Sequence, residues 1–264
     1  MTKSSLIKLL LVVFVLTLLS AAAIGCGRNL LGVPNDHYVA HAGGAYQGLD
    51  YTDTLNALNQ SYAKGFKYFE IDFDWTTDGF LVCLHDISRF NELTGGKKEA
   101  YSLAEFNQSV MLYGLQQMDL PAVMKWVKEH KEIYLITDIK SENVKALGFI
   151  KKNYPEEAKR IIPQVYYFEE YEPVKDQEYK KIMLTLYRAN YSDEEVLNFA
   201  QSHRFSILSI PAERALNSDL ANKLKKLGII TGAHTVNQKD EAEALKKKGV
   251  SIICTDSLDP KQPY

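Results

Sequence analysis

Glu70 and Asp72 stand two residues apart in the run Tyr68-Phe69-Glu70-Ile71-Asp72-Phe73, and His85-Asp86 follows soon after. On a strand, residues i and i+2 project from the same face. Glu70 and Asp72 therefore share one face, and Phe69, Ile71 and Phe73 share the opposite, apolar one. Two carboxylates side by side repel each other unless positive charge lies between them, and a divalent cation is the usual remedy. Other titratable residues also close strand-like runs. His41 follows Tyr38-Val39-Ala40 and precedes Gly43-Gly44, His85 follows Leu81-Val82-Cys83-Leu84, and Asp138 shares a face with Lys140 at the end of Tyr134 to Ile139.

These residues need elements to position them. Strand-like runs fall at 38–41, 68–72, 80–85, 133–139, 161–166, 181–186, 205–210, 229–235 and 250–254. Between most of them lie amphipathic stretches, at 54–64, 121–130, 193–202, 218–227 and 238–248. Pro121 suits a first helical turn, and Gly228 and Gly249 sit where helices should stop. Alternating β and α units predict a parallel sheet covered by helices, and the length fits a (β/α)8 TIM barrel. Nine runs are one too many for such a barrel. No helix fits between Asp72 and Phe80, so the surplus is expected there, as an extended or hairpin irregularity between strands 2 and 3. Residues 88–117 carry weak periodicity and are expected to form an excursion on the rim, not a second domain. In a barrel the C-terminal strand ends converge on one mouth. That places His41, Glu70, Asp72, His85, Asp138 and Lys140 together.

The motifs His41-Ala42-Gly43-Gly44, Glu70-Ile71-Asp72, Thr77-Asp78-Gly79, His85-Asp86, Asp138-Ile139-Lys140 and Thr255-Asp256 occur in the order of the glycerophosphodiester phosphodiesterase family, one of the phosphatidylinositol-phospholipase-C-like barrels. The chain resembles that family from Tyr38 to Pro260. The resemblance implies His41 and His85 as the acid–base pair, and Glu70, Asp72 and Asp138 as ligands of one divalent cation. It also implies Lys140 beside the phosphate, with Gly43 on the substrate side; His234, where the family often has Trp, is expected to line the pocket because it closes a late strand. Asp138 stands where the family usually has Glu. The family's His-Arg-Gly motif has Ala42 in place of its phosphate-gripping arginine, and its Glu-Asn-Thr motif reads Thr52-Asp53-Thr54. A methyl group does not replace bidentate guanidinium contacts. Lys140, Arg89 or the metal would then carry the phosphate charge, which marks a divergent member.

The chemistry implied is hydrolysis of a phosphodiester. Oxygen-only ligands favour Ca2+ or Mg2+ over Zn2+, and imidazoles suit proton transfer near neutrality. Expected substrates are a small glycerol or polyol phosphodiester, a lipid headgroup or a phosphoglycerol polymer. Two alternatives stand beside hydrolysis: a lyase-type reaction forming a cyclic phosphate, and a surface binding module without turnover.

The chain of 264 residues has 46% hydrophobic and 24% charged residues and a formal net charge of −2. With no basic tract it offers nucleic acid no electrostatic support. Lys3 and Lys8 precede or interrupt an apolar run that ends in Ala21-Ala22-Ala23-Ile24-Gly25-Cys26. Residues 1–25 read as a secretory signal, with Cys26 as a lipidation site, or else as an uncleaved membrane anchor. Residues 26–36 read as a tether, and 37–264 as the catalytic barrel on the outer face of the cell membrane. Cys83 and Cys254 are expected as core thiols, and His37, His130 and His203 as surface or tether residues.

Overall fold

Near-continuous apolar runs form the strands of a parallel sheet closed on itself, because such strands are buried on both faces. In the computed structural model, residues 37–203 and 205–262 are described. The strands are β1 (His37–Ala40), β2 (Tyr68–Trp75), β3 (Leu81–Cys83), β4 (Tyr134–Ile139), β5 (Ile161–Val165), β6 (Met183–Thr185), β7 (Ile207–Pro211), β8 (Ile230–His234) and β9 (Ile252–Thr255). Their order is β1-β9-β8-β7-β6-β5-β4-β2-β3, and a further β1–β2 pairing closes the ring. Eight parallel strands therefore make the barrel. The ninth, β3, pairs antiparallel with the far end of β2, with Phe73 opposite Cys83 and Trp75 opposite Leu81. This is where the surplus strand was expected.

Helices lie between the barrel strands as the alternation predicts: α1 (Leu55–Lys64), α4 (Leu120–Glu129), α5 (Asn143–Asn153), α6 (Phe168–Lys175), α7 (Asp193–His203), α8 (Ala212–Asn217), α9 (Leu220–Lys226) and α10 (Lys239–Lys247). Two more, α2 (Ile87–Thr94) and α3 (Leu103–Gln108), belong to the rim. Local sequence sets their ends. The Thr54 side chain accepts from the Ala57 N–H to start α1, and Gly65, in the left-handed region, stops it. Asp119 caps α4 in the same way, ahead of Pro121. Ser102 and Glu105 form a capping box on α3.

Strand alternation divides β2 between two environments. Phe69, Ile71 and Phe73 are fully buried in the main core, and the Phe69 ring lies edge-on to Trp126 of α4 at 5.0 Å. Glu70 and Asp72 take the other face, towards the barrel axis. The rim has its own small core, in which Phe90, Leu93, Tyr101 and Phe106 pack on Val82 and Leu84. No helix among the described residues is long and apolar enough to cross a membrane. The signal or anchor segment, Cys26 and the tether at 26–36 lie outside the described residues.

Candidate active site

The C-terminal strand ends open into a cavity of about 220 Å³ lined by His41, Tyr51, Glu70, Asp72, His85 and Asp138, with Lys140 and His234 also on its wall. One oxygen each from Glu70, Asp72 and Asp138 lies within 4.8 Å of the others, and all three residues are buried. Register explains the grouping: Asp72 of β2 sits directly opposite Asp138 of β4, and Glu70 lies one inward step below.

These three residues fit a divalent cation. Glu70 Oε1 and Asp72 Oδ2 are buried and find no hydrogen-bond partner among the described residues. A buried polar atom left so is costly unless something else satisfies it. Burial, followed by the charges of Asp72 and Asp138, drives the Glu70 carboxyl well above its ordinary range. The donor set is entirely oxygen, suited to a hard cation. Asp138 is more heavily engaged. It accepts from Tyr166 Oη at 2.7 Å, Tyr187 Oη at 2.7 Å and Arg188 Nη2 at 3.0 Å. Burial would raise its pKa, but Lys140, the two tyrosines and Arg188 together bring it below the usual carboxylate value. Lys140 bridges Asp72 and Asp138, with Nζ 3.3 Å from the latter. Burial disfavours its charge, yet Asp72 and Asp138 outweigh that and raise its pKa.

The two histidines are each held from behind. His41 Nδ1 meets Asp256 Oδ1 at 2.8 Å, leaving Nε2 4.0 Å from Glu70 Oε2. Burial opposes a charged ring at His41, but the hydrogen bond and charge of Asp256, with Asp72 and Asp53 beyond, raise its pKa overall. Asn237 fixes Asp256 in turn, donating to Oδ2 at 2.6 Å and accepting from the Asp256 N–H at 2.8 Å. His85 Nδ1 meets Asp86 Oδ2 at 2.7 Å, and the other Asp86 oxygen caps α2 through the Arg89 N–H. The Tyr51 ring stands between the imidazoles, with centroids 4.9 Å from His41 and 4.7 Å from His85.

Gly43 is not on the cavity wall. A side chain there would meet Ala57 Cβ at 3.2 Å, so its role is a close approach to α1 in a turn with φ +79°. Ala42, in the left-handed region, is fully buried and donates its N–H to Glu70 Oε2 at 2.9 Å. The Arg89 guanidinium is engaged by the Asp50 carbonyl at 2.6 Å and by Glu92 at 2.9 Å. Asp53 is fully buried and accepts from the Asp72 N–H at 3.0 Å, bracing the acid strand from within. His130 stacks on Trp126 and His203 on Phe199, each as a packing residue. Cys83 is buried and Cys254 partly so, both as free thiols.

Arg188 is the main residue that sequence reasoning missed. Its guanidinium lies 3.9 Å over the Tyr166 ring and donates to Tyr187 Oη, Asp138 and the Lys140 carbonyl. The available signal was its place just beyond the strand-like run at 181–186. Asp256 lies in the Thr255-Asp256 motif, but its partner is 215 residues away, so no local signal points to its task.

The model of the glycerophosphoryl diester phosphodiesterase family matches residues 41–260. No curated protein matches the chain. Solved structures similar in fold include three phosphodiesterases. A glycerophosphodiester phosphodiesterase from Thermotoga maritima is 20% identical, with TM-score 0.68 over 84% of this chain and 95% of that one. One from Parabacteroides distasonis is 21% identical, with TM-score 0.69 over 84% and 93%. A phosphodiesterase from Oleispira antarctica, solved in complex with the product sn-glycerol-3-phosphate, is 18% identical, with TM-score 0.68 over 86% and 94%.

Proposed function

Because the chain belongs to the glycerophosphoryl diester phosphodiesterase family, and so to the phosphoric diester hydrolases, we propose that it cleaves a phosphodiester of glycerol or a related polyol at the mouth shared by His41, His85 and the acid triad. One observation carries the reading: two imidazoles, each anchored at Nδ1 by a carboxylate, flank a cavity floored by three clustered carboxylates.

Glu70, Asp72 and Asp138 would hold a divalent cation, Ca2+ or Mg2+, whose charge would offset that of the diester and polarise its P–O bonds. The chain's own residues do the rest. With Nδ1 tied to a carboxylate, each histidine keeps Nε2 for proton transfer. His41, whose charged form Asp256 favours, is suited to protonate the leaving alkoxide. His85 is then the base that takes the proton of the attacking nucleophile, water or an adjacent substrate hydroxyl whose cyclic product water then opens. Tyr51 keeps the rings apart, so that they flank a scissile bond and do not contact each other. Lys140, on the cavity wall, supplies the positive charge that Ala42 lacks, and Arg188 holds Asp138 from beside it. The product bound by the Oleispira antarctica phosphodiesterase supports glycerol phosphate as the product class.

The test is turnover of glycerophosphodiesters followed by 31P NMR, after chelation and after add-back of Mg2+ or Ca2+. Metal-restored release of a phosphomonoester is expected. A cyclic phosphate as final product would favour the lyase reaction, and metal-indifferent turnover would remove the triad's role.

The apolar run and Cys26 support export with a lipid anchor at the outer membrane face. Incorporation of labelled fatty acid that persists in Cys26→Ser would end that reading.

A further inference from the structure

Four neutral polar residues of the cavity wall form one arc of the barrel. Gln164, Thr185, Ser209 and His234 line it from β5, β6, β7 and β8, which are consecutive neighbours in the sheet, whereas Val39 and Ile252 line it from β1 and β9. The four polar residues pair among themselves. Thr185 Oγ1 donates to Gln164 Oε1, and Ser209 Oγ meets His234 Nδ1 at 2.8 Å. His234 Nε2 is left over: it is buried and finds no partner among the described residues.

The chemistry of that nitrogen narrows what it can take. If Ser209 donates to Nδ1, Nε2 carries the proton and needs an acceptor. If Nδ1–H donates to Ser209, Nε2 is bare and needs a donor. A hydroxyl answers either tautomer, because it both donates and accepts. A phosphate oxygen answers only one. Charge in the ligand is also better met elsewhere, by Lys140 and by the cation that the acid triad would hold. Burial, followed by the charge of His41, presses the His234 ring down to about 4, so it stands as a neutral imidazole.

We propose that this arc is a hydroxyl-reading subsite, in which His234 Nε2 hydrogen-bonds a free hydroxyl of the polyol esterified to the phosphate, with its carbon skeleton against the apolar wall of Val39 and Ile252. The assignment rests on the phosphodiesterase reading for the placement of the phosphate. It goes beyond that reading in naming the residue that recognises the polyol: His234, whose Nε2 would distinguish a polyol ester from a simple alkyl ester.

Calorimetric titration of the metal-loaded protein with sn-glycerol 3-phosphate and with propyl phosphate, which lacks the hydroxyls, tests it. Wild type should bind the glycerol ester about tenfold more tightly, the worth of roughly one buried hydrogen bond. His234→Leu should bind the two esters alike, and His234→Gln, which keeps a donor and an acceptor, should recover part of the preference. A wild type without preference, or a preference that survives in His234→Leu, overturns the subsite. If His234→Leu proves unfolded by circular dichroism, Ser209→Ala takes its place, and an undiminished preference there counts against the proposal. The readout does not depend on turnover. Selective binding without cleavage of any diester would retain the subsite and refute the hydrolase reading, whereas cleavage without selectivity would do the reverse.

Discussion

Asp256 and His234 show how single side chains set protonation around the mouth. Asp256 holds His41 Nδ1 at 2.8 Å and raises the ring's pKa against the effect of burial. Asp256→Asn removes the charge and lets an amide N–H bond to Nδ1, which favours the wrong tautomer. We expect kcat to fall about a hundredfold or more, and the limb of the pH–rate profile that reports His41 to move to lower pH; an unmoved limb would show that His41 is not the group titrating. If His41 protonates the leaving group, His41→Ala should lose much less activity on a diester of 4-nitrophenol, which departs without a proton, than on an alkyl diester. Equal losses on both would reassign the ring. His234 works in the opposite sense. Its pKa is lowered from 6.5 to about 4, mainly by burial. A group depressed in the folded state contributes stability that is complete above its unfolded value and is lost as pH falls through the folded one. Urea unfolding should therefore show up to about 3 kcal/mol lost from this ring between about pH 7 and 4, and a shallower decline in His234→Leu. Parallel declines would contradict a buried neutral imidazole.

The hairpin from β2 to β3 is the element that departs from a regular barrel, and it carries the second histidine. Pairing Phe73 with Cys83 and Trp75 with Leu81 sends the chain back along β2, so that His85 emerges over the mouth beside Tyr51. The strand is three residues long and gains its support from the rim core, where Phe90 and Phe106 stack at 4.7 Å beneath Val82 and Leu84. Phe106 is fully buried. Phe106→Ala should cost about 3–5 kcal/mol, local to the rim if the rim unfolds apart from the barrel. Hydrogen exchange should rise in the β3–α3 segment with β5–β8 unchanged, and kcat should fall as His85 loses its support. Uniform exchange throughout the chain would mean that rim and barrel unfold together. The position of this hairpin was legible, since no helix fits between Asp72 and Phe80. Its pairing was not, because an antiparallel return and an extended link have the same local composition.

At the scale of the whole molecule, closure of the ring gathers five buried carboxyls, Asp53, Glu70, Asp72, Asp138 and Asp256, around one mouth. Burial and mutual repulsion push Asp53 and Glu70 upward, so the metal-free barrel carries a charge conflict that a cation would relieve. Thermal unfolding should show the wild type gaining several degrees with saturating Mg2+ or Ca2+. Glu70→Gln, which keeps an acceptor for the Ala42 N–H, should be more stable than metal-free wild type and lose the metal-dependent gain. A variant still stabilised by the cation would place the metal elsewhere. The sequence by itself determined the strand positions, the shared face of Glu70 and Asp72, the barrel and the two histidines, because periodicity, caps and strand phase are local properties. Only the tertiary structure decided that Asp256 grips His41, that Arg188 and two tyrosines surround Asp138, that Gly43 faces α1, and that His234 Nε2 lines the cavity with no partner among the described residues. Those are contacts between strand ends far apart in the chain, and they exist only once the barrel closes.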